Sequence, residues 1–126
     1  MAKKKLNITD QIKSYQDACK YNGKQPLSES KLLEAGVTPK QIAGIKLEEI
    51  TLALNEGKPT DIYSGKLRYY PVFWSYAGPS GFAFGLSSCG RTNAIASSGS
   101  RHSYHDKAVS DYSGKQFTEL WKEYLS

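Results

Sequence analysis

The sequence predicts an α+β domain with two or three N-terminal helices, a small antiparallel β-meander and one C-terminal helix. Three observations carry this. Apolar residues recur at helical spacing before residue 55 and again after residue 105. Two aromatic runs lie between them, Leu67 to Tyr76 and Gly81 to Leu86, and seven of the chain's fifteen aromatic residues fall within that stretch. Ala77-Gly78-Pro79-Ser80 separates the runs, and Gly with Pro marks a turn, so the pair reads as a hairpin.

The first element is a helix with Ile8, Ile12, Tyr15 and Cys19 along one face, closed by Tyr21-Asn22-Gly23. A basic tail, residues 1–6, precedes it and is expected to be flexible. A short helical turn over residues 30–35 ends at Gly36. The next helix has the fullest set of signals. Thr38 suits the N-cap, Pro39 the first helical position and Gln41 the return bond of a capping box, with Val37 and Ile42 placed as a hydrophobic staple. Asn55-Glu56-Gly57-Lys58-Pro59 stops it. Gly44 in its interior costs about 1 kcal/mol relative to Ala and points to close packing.

Residues 58–66 read as a loop, 67–76 and 81–87 as strands, and 87–100 as a flexible Ser/Gly-rich loop. Pro71 lacks an amide donor, which places it at an edge or a bulge. Arg101 to Tyr104 is a candidate third strand, and Ser103 with Asp106 has capping-box spacing. Val109, Tyr112, Phe117, Leu120, Trp121, Tyr124 and Leu125 then follow a helical period, with Gly114 as the weak point.

A length of 126 residues fits one domain, 1–126, able to bury a core without disulfides or metal. The net charge of +5 tolerates a polyanionic partner without demanding one. Up to residue 66 there are 11 basic and 8 acidic residues, and after it 6 and 4, so no single basic patch is signalled. Cys19 and Cys89 form neither a disulfide framework nor a zinc motif. The charged N-terminus lacks the apolar core of a signal peptide, and no run is long enough to span a membrane. The expected setting is the interior of a cell.

Four stretches carry a resemblance. They are Ala53-Leu54-Asn55-Glu56-Gly57 closing a helix, the Tyr69-Tyr70-Pro71-Val72-Phe73 strand, Gly99-Ser100-Arg101, and the segment from Tyr112-Ser113-Gly114-Lys115-Gln116-Phe117 to Leu125. In that order and spacing they resemble a group of small uncharacterised proteins of tailed phages and prophages of gut bacteria. The resemblance covers residues 42–125 and is most specific in its last segment. Val72 stands where relatives tend to carry an aromatic, and His102-Ser103-Tyr104 where they tend to carry an apolar strand. The resemblance implies a phage or mobile-element origin and expression in the cytoplasm of a bacterial host. It implies no catalytic residue.

Chemistry-bearing residues are few. His102, His105, Asp106 and Cys89 are usable metal ligands, but they lack zinc-motif spacing. Cys89 has no nucleophile turn around it, and the C-terminal carboxylates fall on one predicted helix. Gly78-Pro79-Ser80-Gly81 and Ser97-Ser98-Gly99-Ser100 match no phosphate-binding fingerprint. No catalytic residue, metal or cofactor is expected.

The aromatic hairpin is the remaining candidate. Alternate strand residues face opposite ways, so helices on one side leave rings on the other. Phe82 and Phe84 suit the inner side, while Tyr70, Trp74 and Tyr76 can meet water at their polar ends. With Tyr69, Arg68, Arg91 and Arg101 they make the expected binding surface. Tyr, Trp and Arg anchor protein interfaces, so a non-enzymatic protein-binding role is expected, toward a host or phage protein or a second copy of the chain. The alternative is single-stranded nucleic acid, with bases stacked on rings and Arg or Lys along the backbone.

Overall fold

The computed structural model describes residues 7–76, 78–91 and 100–126. The expected tail 1–6 and residues 92–99 of the expected loop lie outside them. The chain is α+β: α1 (Ile8–Gln11), α2 (Tyr15–Asn22), α3 (Glu29–Glu34), α4 (Pro39–Leu54), β1 (Leu67–Trp74), β2 (Ala83–Arg91), α5 (Lys107–Gln116) and α6 (Thr118–Leu125).

The first expected helix is two. Ile12 adopts an extended conformation, and the Ser14 hydroxyl caps α2 by accepting from Asp17 N at 3.1 Å. Ile8, Ile12 and Cys19 are buried all the same. Gly23, at φ 71°, takes the left-handed position that closes α2. The α4 capping box forms as expected, with Gln41 N donating to Thr38 Oγ1 at 3.2 Å and Thr38 N to Gln41 Oε1 at 2.8 Å. The stop at Asn55 also forms, with Glu56 and Gly57 at positive φ.

Helix α4 is the centre of the fold. Ile42, Ala43, Leu47, Ile50, Ala53 and Leu54 are buried along it, each large one contributing about 2 kcal/mol. The helices α1, α2, α3 and α6 pack against it, while α5 packs on the ribbon. Gly44 lets α6 approach: a Cβ there would sit 2.9 Å from Tyr124 Cε1.

The ribbon has two antiparallel strands, and the expected third is absent. Residues Ser100–His102 form a 3-10 turn, and only Tyr104 reaches the ribbon, in a single bridge to Tyr69. Tyr104 turns inward and α5 begins at once, with Asp106 rather than Ser103 as its cap, accepting from Ala108 N at 2.7 Å. Strand β2 runs on to Arg91, so residues 87–91 are ladder, not loop. The small side chains of Ser87 to Gly90 let α5 lie close, and the Ser87 hydroxyl donates to that of Ser110 at 2.7 Å. Gly85 is the extra residue where Val72 pairs with Leu86 and Phe73 with Phe84. Tyr69 turns its N–H and C=O to Tyr104, so Pro71, two residues on, presents its missing donor to the same outer edge.

The C-terminal helix is also two. The break falls at Phe117 (φ −112°, ψ 29°), where the Thr118 hydroxyl donates to Gly114 O at 2.6 Å. Gly114 is not the weak point expected. It lies buried within α5, where a Cβ would stand 2.3 Å from Phe84 Cδ2.

Candidate binding surface

The two faces of the ribbon are unlike. On the inner face Phe73 stacks on Phe82 with centroids 4.8 Å apart and meets Trp121 at 5.8 Å. Behind it lies a closed polar network. The Tyr104 hydroxyl bonds Ser113 Oγ at 2.7 Å and Thr51 Oγ1 at 3.2 Å, and Trp121 Nε1 donates to Ser113 Oγ at 3.1 Å. Burial pushes the Tyr104 phenol up to about 12. Asn55 adds a bond from its amide to Ser103 O at 3.0 Å and accepts from His105 N at 3.1 Å.

On the outer face Tyr70, Trp74 and Leu86 are exposed, and Tyr76 beyond the strand end is 90 % exposed. Trp74 lies against Gly85, where a Cβ would stand 2.7 Å from the indole, and its ring is 6.5 Å from that of Tyr76. Around the edge of β1 the surface continues into a groove of about 490 Å³ lined by Tyr70, Pro71, Phe73, Phe82 and exposed Leu125. Lys122 stands at its side.

The expected surface residues divide. Trp74 and Tyr76 come together at the turn end, and Tyr70 lies four residues back along β1, opposite Ser88. Tyr69 is half-buried on the inner side, paired with Tyr104. Arg68 is buried, only 4 % exposed, and is no part of the outer surface. It turns into the angle between the ribbon and the loop 58–66, with Nη1 2.5 Å from His105 Nδ1 and Nη2 3.2 Å from Ser64 Oγ. Arg91 pairs with Leu67, seven residues and roughly 23 Å along the strand from Trp74, and donates to Gly65 O at 3.0 Å. Arg101 sits at α4, paired with Glu48. Leu86 and Leu125 join the surface unforeseen. The Gly85 bulge sets which side Leu86 takes, and Leu125 arrives from the far end of the chain.

The two histidines serve different surroundings. His102 is wedged 5.1 Å from the Tyr124 ring and 5.9 Å from that of Trp121. His105 faces Arg68. A guanidinium only donates, so His105 Nδ1 is the acceptor and Nε2–H points to Lys58 O at 3.3 Å. Burial lowers both imidazoles from their ordinary value of 6.5. Among the described residues, no three His, Cys, Asp or Glu side chains are grouped to hold a metal, and no helix is long and apolar enough to cross a membrane. Comparison with family models, curated proteins and solved structures gives no match.

Proposed function

We propose that this chain is a non-enzymatic binding protein that engages another protein through the outer face and turn end of its ribbon. The observation that carries this is the set of exposed apolar side chains Tyr70, Trp74, Tyr76, Leu86 and Leu125, with Tyr70 and Leu125 lining one groove, combined with the position of the arginines. A single-strand nucleic-acid platform needs cations beside its stacking rings. Here Arg68 is inside, Arg91 is at the opposite end and Arg101 is paired on α4. With none of the three arginines beside the rings and Lys122 the one cation among the described residues lining their groove, the surface suits a protein interface core, where aromatics are enriched and charge is depleted. The resemblance to small phage and prophage proteins favours a partner in the cytoplasm of a bacterial host.

The test replaces Trp74 in the full-length protein with a photo-crosslinking residue and irradiates it in a bacterial host. One dominant adduct is expected, and Tyr76→Ala with Tyr70→Ala should reduce it at least tenfold. A ladder of unrelated adducts, or one unaffected by the double variant, overturns the reading. Light scattering distinguishes a self-adduct from a foreign partner. Salt-sensitive titration with single-stranded oligonucleotide would favour nucleic acid instead.

A further inference from the structure

Arg68 has no carboxylate partner among the described residues, although it is 96 % withdrawn from solvent. A buried guanidinium, a permanent cation, is strongly unfavourable unless its charge is met. Its two bonds go to neutral groups, the His105 ring and the Ser64 hydroxyl, and its Nε has no partner among the described residues. It lines a cavity of about 630 Å³ between the loop 58–66, the start of β1 and the start of α5, a size typical of small-molecule sites. Lys58, Lys66 and His105 line the same cavity.

Three carboxylates, those of Glu56, Asp61 and Asp106, also border it. Asp106 accepts from Ala108 N at 2.7 Å and Asp61 from Tyr63 N at 2.9 Å, so each spends an oxygen on backbone. The largest charge effects felt by His105 come from Arg68, Lys58 and Lys66, all cations. Arg68, with Nη1 2.5 Å from His105 Nδ1, marks the corner of the cavity where a cation stands without a carboxylate partner among the described residues.

We propose that this corner binds the phosphate group of a small molecule, with Arg68 supplying the fixed charge and Lys58 and Lys66 closing on it from the loop. Cations at three separate chain positions suit a tetrahedral dianion better than a planar, singly charged carboxylate. The cavity is much larger than phosphate alone, leaving room for the body of an ester. The site lies away from Trp74 and Tyr76 and is independent of the proposed protein contact.

The experiment titrates the full-length, ¹⁵N-labelled protein with sodium phosphate, methyl phosphate and sodium acetate at constant ionic strength, following the His105 ring and the Arg68 guanidinium by NMR. Saturable shifts with phosphate are expected, at least tenfold tighter than with acetate. Methyl phosphate binding equally well assigns the site to esters, and methyl phosphate binding more weakly assigns it to the free ion. Arg68→Lys should remove the response. Because that change is buried, Lys58→Ala and Lys66→Ala serve as exposed controls of the same point, each weakening phosphate at least threefold. Absence of saturable shifts, acetate binding as tightly as phosphate, or a Lys58→Ala/Lys66→Ala double variant with unchanged affinity overturns the assignment.

Discussion

Tyr104 and Tyr76 are the same side chain in opposite conditions, the first with no exposed surface and the second 90 % exposed. Tyr104 lies beside the ribbon where α4 and α5 converge, and its hydroxyl finds Thr51 and Ser113. Tyr76 stands just past Trp74, with its side chain left open to solvent. Ring chemistry does not separate them. What separates them is whether a hydroxyl or indole N–H has a buried partner, since an unpaired buried donor costs about 1–3 kcal/mol. The inner rings are part of the core, and the outer ones are free to meet something else.

The comparison can be broken from its inner side first. Tyr104→Ala removes a fully buried ring and should cost about 4 kcal/mol in urea unfolding. Gly114→Ala should cost about 2 kcal/mol by the same measurement, because its methyl would collide with Phe84. Tyr104→Phe keeps the ring and loses only the hydroxyl, with an expected cost of about 1 kcal/mol. If it proves as severe as the alanine change, the hydroxyl network rather than ring packing holds that corner.

Acid sharpens the comparison. His102 and His105 are held below 6.5 in the fold, so the unfolded chain binds protons first as pH falls through 6.5. Stability should therefore fall from pH 7.5 to 5.5 and level off once the folded imidazoles also protonate. His102→Gln should flatten that slope, which urea midpoints at the two pH values would measure. The smallest effect belongs to the outer side. Tyr76→Ala should shift stability by no more than about 0.5 kcal/mol while still weakening partner capture.

Local signals made most of the helical framework legible. The Thr38–Gln41 box, the Gly23 cap and the Asn55 stop are short-range devices, and each formed where its residues stand. What sequence could not supply was long-range. Nothing local distinguishes Ser87 to Arg91 from a loop, because their strand character comes from pairing with Leu67 to Pro71 and from α5 above. The helix break at Phe117 depends on a hydroxyl returning to a carbonyl, and Gly114 on a phenyl ring thirty residues earlier. Alternation put Tyr70 and Trp74 on one side, as read. The same alternation put Arg68 on that side too, and only the path of the loop 58–66 removes it from the surface.

Pro71 has a consequence for encounters between copies of the chain. A strand approaching the outer edge of β1 would find Tyr69 already bonded to Tyr104 and, at the next outward position, a ring in place of an amide hydrogen. End-on polymerisation through this edge is blocked at its first step. Whatever the molecule meets there has to arrive broadside, by shape and greasy contact, not by extending the ladder.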